Sequence, residues 1–503
     1  MIIPISARAH LLPDGDVLPC VVSHEDDCTT VRVENPGERT CRAVLEFSCF
    51  VEAERVALPL SMNGLFKHPA LADVSADEQW TPGEHPVGEL VAHYLEPQGS
   101  HPDEVITRAP LLIPLIEWLP GRVAWFASPE RPWRFACERT EDGRWRWSLQ
   151  TIESLAPGRT WTERCWLVTN QDAWRAFHRL AHADTTPVPS WLRGVKTHYF
   201  DFLSAGADGR RGNGYDESLP HFPEFHVGLG TQHGYYPYWG DYVQPGRQHW
   251  RAMLADANGP AEMSIARVRQ RIAATRQAGA RAGIYIHLVG FDGASPLDAT
   301  LRDAARVDVE DQSAEFAWRG PDVVGPVRFM SMNAPAWRNH LLQQSAWIME
   351  MLDPDAIIVD ETFAAVGYDH HPDRRGPTSL ATIQWMKDMR ALVHSYGDDK
   401  AILTSDCGLG SLVLWADGEA GDHAYDHLLG HPCYRRQPVP YLAALNDKPW
   451  LPCAWQAWKF WDAQVDLARS AGSAIGVSDG WMEFTGLARM PAAQRQRMLV
   501  DLG

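Results

Sequence analysis

The sequence predicts a two-part chain, an N-terminal β-sandwich followed by a (β/α)8 barrel, and three observations lead there. Its 503 residues exceed one core, because a domain averages about 150 residues and a barrel takes about 200–250. Residues 1–185 alternate apolar and polar side chains in short runs broken by turn signals, as antiparallel strands with one buried face do. Beyond Trp191, apolar runs instead precede amphipathic stretches, the rhythm of parallel strands joined by helices.

In the first part, TTVRVENPGERTCRAVLEFSCFV alternates on both sides of ENPGE and reads as a hairpin. The stretch RVAWFASPERPWRFACERTEDGRWRWSLQTIESLAPGRTWTERCWLVTN continues the pattern with turns at SPERP, EDGR and APGR, and a sandwich is the natural closure for strands so spaced. QDAWRAFHRLAHA reads as a helix. DTTPVPSW carries two prolines and reads as a linker reaching residue 191.

The barrel is expected over 192–503. GVKTHYFDF is its first strand, and residues 203–258 read as a long aromatic-rich insert. RAGIYIHLVGFD comes next as the second strand and VRFMSMN as the third. DAIIVDETF is the fourth, where Ile357 to Val359 form the unbroken apolar run of a strand buried on both faces. KAILTSD, SLVLWAD, KPWLPCAW and GSAIGVSDGW complete eight, with helices at PAEMSIARVRQRIAATRQAGA, APAWRNHLLQQSAWIMEML and SLATIQWMKDMRALVHSYG. An open doubly wound sheet is the competing architecture. No GxGxxG or GxxxxGK[ST] loop opens any of the helices, which weighs against a nucleotide function.

Composition narrows the partners. With 46 basic and 64 acidic residues the formal charge is -18, unsuited to phosphate backbones or an anionic membrane. A neutral ligand fits better, and no cofactor is called for. The N-terminus lacks a basic region before an apolar core, no run approaches about 20 apolar residues, and the nine cysteines are dispersed without a CxxC pair; a cytoplasmic protein with reduced thiols is expected. A homo-oligomer is compatible with all of this. The 22 tryptophans outnumber the 13 tyrosines and 16 phenylalanines, and indole faces suit stacking against ligand rings as well as packing.

Catalytic groups in a barrel stand at the C-terminal ends of strands. There the expected strands collect His198, Asp201, His287, Asp292, Asn333, Asp360, Glu361, Asp406, Asp417, Glu419 and Asp479. Such an accumulation of acids suits cleavage of a glycosidic bond, in which one carboxyl group protonates the leaving oxygen and another attacks the anomeric carbon or activates water. Asp360 is the first choice for nucleophile or base. Glu419 is the first choice for acid, Asp406 competes for either role, and Asp417 is the other acid candidate. Glu361 alternates with Asp360, so one of the two is expected to point away from the opening. Carbohydrate contacts are expected from His198, Asp201, His287, Glu361 and Asp479, with Trp239, Trp415 and Trp481 as stacking platforms; Tyr235, Tyr236 and Tyr238 join Trp239 as a candidate wall. Set against this, an acid at a strand end is often only a helix cap or an arginine partner. Two other functions compete: non-catalytic carbohydrate binding, and a metal-dependent hydrolase built on YDHHPD and GDHAYDH, although HExxH is absent and no metal is expected.

The segment FMSMNAPAWRNHLLQQSAWIMEMLDPDAIIVDETF resembles the third strand, helix and fourth strand of amylase-type and galactosidase-type (β/α)8 glycoside hydrolases. Asn333, Pro335, Trp337 and Arg338 match the helix start, and Asp355, Ile357 and Asp360 match the strand. The resemblance implies that Asp360 is the nucleophile. Ile358 stands where the amylase pattern has an arginine.

Overall fold

A computed structural model describes residues 5–12, 15–53, 55–58, 83–86, 114–119, 121–131, 133–181, 187–201, 214–251, 262–307, 326–362, 365, 368–405, 411–420, 448–452, 458, 461–478 and 487–503. Two antiparallel sheets form the first part. One runs Arg134–Arg139, Trp145–Leu155, Cys41–Val51, Ser6–Leu12, Val17–Leu18; the other runs Cys20–Glu25, Cys28–Glu34, Thr160–Thr169, Val123–Ala127, Leu115–Leu119, Arg55–Leu58, Gly83–Pro86. They enclose one apolar core, to which Val31, Trp125 and Cys165 come from one sheet and Leu45, Phe47 and Trp147 from the other. Trp118 stacks on Trp125 at 5.6 Å and meets Trp147 edge-on at 5.8 Å, so tryptophans bind the two sheets together.

The turns stand where the sequence places them, but several pairings differ. EDGR does close a hairpin between Arg134–Arg139 and Trp145–Leu155. ENPGE does not: Cys28–Glu34 and Cys41–Val51 lie in different sheets, and Asn35 pins the crossing by donating to the Arg39 and Leu155 carbonyls at 2.9 and 2.8 Å. SPERP and APGR are likewise crossings between sheets. Helix Ala173–Leu180, capped by the Asp172 carboxylate on the Arg175 N–H, leans Phe177 against Phe126, and both belong to an apolar cluster that continues into the second part of the chain.

That second part is a seven-stranded parallel sheet that curls round on itself. From Thr197–Asp201 it runs through Val227–Gln232, Arg281–His287, Ala356–Asp360 and Ala401–Ser405 to Gly418–Glu419, with Ile475–Ser478 on the other side of Thr197–Asp201. The chain at Trp450 fills the gap: the Leu451 N–H donates to the Glu419 carbonyl, and the Ala474 N–H to that of Trp450. Residues therefore separate into two faces. Leu229, Ala356, Ile358, Ala401, Leu403 and Leu451 pack inside the curl, whereas Ile357, Val359 and Ile402 join the outer layer with the helices.

This order corrects the numbering of the strands. Val227–Gln232, the second strand, lies within the stretch 203–258 that reads as an insert, and RAGIYIH is consequently third. Val327–Phe329, from VRFMSMN, pairs instead with Gly290–Asp292 in a separate two-stranded ribbon. SLVLWAD is mostly a turn of 3-10 helix, Ser411–Trp415, with the strand just after it. No helix among the described residues is long and apolar enough to cross a membrane.

Candidate active site

The fourth strand, Ala356–Asp360, is buried throughout, and its two acidic neighbours have opposite fates. Asp355, just before it, accepts from Arg276, Arg281 and the Ala282 N–H, and so anchors the strand at its N-terminal end. Asp360, at the C-terminal end, alternates with Ile358 and faces inward. Directly alongside is His287 of the third strand, and the Tyr285 hydroxyl donates to Asp360 Oδ2 at 2.5 Å. Burial first, then the charge of Asp360, push the Tyr285 hydroxyl well above its ordinary pKa, so it stays a proton donor.

Glu361 does not point away. Its backbone turns left-handed, with φ 58°, which breaks the strand alternation. One oxygen of each carboxylate and one ring nitrogen of His287 lie within 4.8 Å of one another. Asp360 is 8% exposed and Glu361 half-buried.

His287 is a neutral ring with a fixed tautomer. The Gly290 N–H donates to its Nδ1 at 2.7 Å, which leaves the proton on Nε2, and burial, then the neighbouring His233, hold its pKa down to about 3. Trp239 stacks on it at 4.5 Å. The three groups are close enough to hold a cation, but neither ring nitrogen has a lone pair to offer: one accepts from a backbone amide and the other bears the proton. Ligating a metal would require breaking that amide contact.

Around Asp360 the wall is aromatic. His233 meets the Tyr285 ring at 3.9 Å, Phe200 approaches both, and Tyr236 stacks on Tyr285 at 6.0 Å. The expected sugar-stacking wall of Tyr235, Tyr236, Tyr238 and Trp239 is instead largely internal. Tyr235, Tyr236 and Trp239 are buried, the Tyr235 hydroxyl donates to the Tyr285 carbonyl, and Trp239 Nε1 donates to the Tyr236 hydroxyl. Tyr242 accepts from the His287 N–H and donates to its carbonyl, which holds the third strand in place.

The remaining candidates separate clearly. Asp417 is fully buried at the opposite end of the sheet, accepting from Arg390, His394 and the Ile402 N–H, so every route to the opening is closed to it. Glu419 pairs with Thr404 and takes its hydroxyl at 2.5 Å on the outer face, away from Asp360. Trp415 packs in the outer layer with the Lys387 ammonium 5.6 Å from its ring. Asp201 points outward as well, where its charge acts on Tyr215 and Arg271. His198 lies inside the curl as a buried strut: Nδ1 donates to the Leu451 carbonyl and Nε2 accepts from Thr231, while burial pushes its pKa down to about 4. Asp292 belongs to the ribbon, and in YDHHPD the Asp369 carboxylate is committed to Arg374, Ser331 and two backbone amides. Asp406, Asp479, Trp481 and GDHAYDH lie outside the described residues.

Sequence reading missed Tyr285 and His233. Tyr285 had a signal: it stands two residues before His287 on a strand and so shares its face.

No protein-family model and no curated protein sequence matches the chain. Solved structures do. A GH36 alpha-galactosidase of Geobacillus stearothermophilus is similar over 99% of this chain and 74% of its own, with 10% identity and a TM-score of 0.60. An alpha-galactosidase of Thermus thermophilus in complex with stachyose is similar over 99% of both chains, with 12% identity and a TM-score of 0.54. An alpha-N-acetylgalactosaminidase of Bifidobacterium bifidum is similar over 99% of this chain and 87% of its own, with 10% identity and a TM-score of 0.57. At these identities the likeness is one of fold: a β-rich part followed by a curled parallel sheet is the architecture of these glycoside hydrolases.

Proposed function

We propose that the chain is a glycoside hydrolase acting at the C-terminal ends of a (β/α)8 barrel, with Asp360 as nucleophile or base and an α-galactoside-like sugar as substrate. The observation that carries this is Asp360 itself, a buried inward carboxylate at the end of the fourth strand, held by a phenol from the neighbouring strand. The fold shared with alpha-galactosidases supports the substrate class.

In the retaining form of the reaction, Asp360 Oδ bonds to the anomeric carbon as the bond from that carbon to the leaving oxygen breaks. The acid gives its proton to that oxygen, and water, returning a proton to the same residue, then displaces Asp360. Asp417 and Glu419 face elsewhere, so the candidates for the acid are those that follow the fifth and sixth strands in sequence, Asp406, Asp422 and Asp426.

A panel of 4-nitrophenyl glycosides, assayed with wild type and with Asp360→Gly, Asp406→Asn and Asp422→Asn, tests this. Wild type should release nitrophenol, and Asp360→Gly should lose about 10⁴-fold or more in kcat, with azide restoring turnover as a glycosyl azide. Undiminished cleavage by Asp360→Gly would overturn the assignment of Asp360. No cleavage of any glycoside of the panel by wild type would overturn the hydrolase reading.

A further inference from the structure

A residue at the end of a β-strand has no reason of its own to enter the left-handed region, and for a side chain with a Cβ that conformation is costly. Glu361 does so at φ 58°. Continued strand geometry would send its carboxylate to the outer face with Val359. The left-handed turn sends it to the inner side, where an oxygen comes within 4.8 Å of one on Asp360. This adjacency has a geometric meaning that a pair facing each other across a sugar would not have. Both carboxylates approach from one side of the opening, so Glu361 is poorly placed to protonate a leaving group departing on the face opposite Asp360.

What it can reach is the part of the sugar beside the attacked atom. Before bond formation, the attacking oxygen stands about 3–3.5 Å from the anomeric carbon. The hydroxyl oxygen on the next ring carbon is two bonds away from that centre. An acceptor within 4.8 Å of an oxygen of the attacking carboxylate can therefore lie at an ordinary hydrogen-bond distance, about 2.7 Å, from this hydroxyl. As positive charge develops on the ring, the neighbouring hydroxyl becomes a better donor, and a charged acceptor gains most in the transition state. A carboxylate has room for this in addition to its contacts within the protein, since its two oxygens accept about four hydrogen bonds.

We propose that Glu361 is a specificity-determining residue that accepts the hydrogen bond of the sugar's 2-hydroxyl, so that the site selects glycosides carrying a free hydroxyl beside the anomeric carbon. This rests on the hydrolase reading of Asp360. Glu361 binds the substrate and strengthens its grip in the transition state, while Asp360 makes and breaks the covalent bond.

The test compares 4-nitrophenyl α-galactoside with its 2-deoxy analogue, using wild type, Glu361→Gln and Glu361→Gly. The glycine variant suits the left-handed backbone and the glutamine variant keeps the size, so loss of folding in one does not remove the comparison. Taking the ratio of kcat/KM for the two substrates within each enzyme, and comparing it between enzymes, cancels their different intrinsic reactivities. Wild type should favour the 2-hydroxy substrate over its analogue by at least about tenfold more than either variant does, with the variants losing chiefly kcat on the 2-hydroxy substrate. If the variants keep the wild-type ratio, Glu361 does not read the 2-hydroxyl and the inference is overturned while the hydrolase stands. If wild type cleaves neither substrate nor any other glycoside of the panel, the hydrolase reading falls and takes the inference with it.

Discussion

Tyr285 and Asp360, on adjacent parallel strands, are joined by a hydrogen bond from the phenol to carboxylate Oδ2 at 2.5 Å, with the tyrosine fully enclosed by its neighbours. A buried carboxylate has few rotamers to choose among once one oxygen is fixed this way, and its other oxygen is then presented in a constant direction. On the proposed hydrolase reading, the tyrosine orients the attacking carboxylate without having to touch the substrate.

Tyr285→Phe removes that bond while preserving the ring packing against His233 and Tyr236. The expected outcome is a fall of about 10–100-fold in kcat with little change in KM, and a loss of about 1 kcal/mol in stability. Steady-state kinetics on a 4-nitrophenyl glycoside, together with a denaturant melt, check it; a change confined to KM would contradict a positioning role.

Stability should decline on acidification because of two enclosed imidazoles. His198 and His287 have folded pKa values pushed down to about 4 and about 3, by burial in each case, whereas an exposed ring titrates near 6.5. Above about pH 6.5 neither the folded nor the unfolded ring holds the proton and there is no contribution. Below it the unfolded chain binds protons that the folded chain refuses, so stability falls as pH drops, levelling off only near pH 3–4. At pH 5 the cost is about 2 kcal/mol per ring. Melting temperatures from pH 7.5 to 5 should fall for wild type and fall less steeply for His198→Gln; parallel slopes would refute the contribution of His198.

Asp417→Asn separates structural from catalytic acids. Its carboxylate balances Arg390 in a fully enclosed setting, so neutralising it should destabilise the fold by about 3–5 kcal/mol. At temperatures where the variant remains folded, kcat should match wild type. A variant that is as stable as wild type but inactive would restore Asp417 as the acid.

Glu361→Gly should raise stability by about 1 kcal/mol through relief of the left-handed backbone, even as activity falls. Thermal melts read the first effect and the glycoside assay the second. A lower melting temperature would mean that contacts of the Glu361 side chain outweigh the backbone strain.

Sequence reading succeeded where burial leaves an unbroken apolar signature, as in AIIVD and AILTS, and located Asp360 and His287 at strand ends. It failed at VGLGTQ for a physical reason. A Cβ on Gly230 would come within 2.7 Å of Phe222 and 2.8 Å of the Tyr215 hydroxyl, so a strand that must let aromatic rings approach its backbone is written in glycine and imitates a loop. The sixth strand is only two residues long, too short to carry periodicity. Turn residues mark where the chain bends in the β-rich part but are the same for a hairpin and for a crossing between sheets, which is why ENPGE and APGR misled. Glu419 reads as a loop residue just past the sixth strand, but it lies within that strand, paired with Thr404, and so its side chain is turned to the outer face.

Phe126 and Trp166 of the β-rich part, Phe177 of the helix next to it in the chain, and the outer layer of the curled sheet all belong to one continuous apolar cluster. The junction is thus a shared wall rather than a tether. Neither half can be peeled away in solution without wetting aromatic surface that its partner keeps dry, so heating should melt the two in a single cooperative step, and loosening the sandwich should be felt as a loss of order at the opening where Asp360 stands.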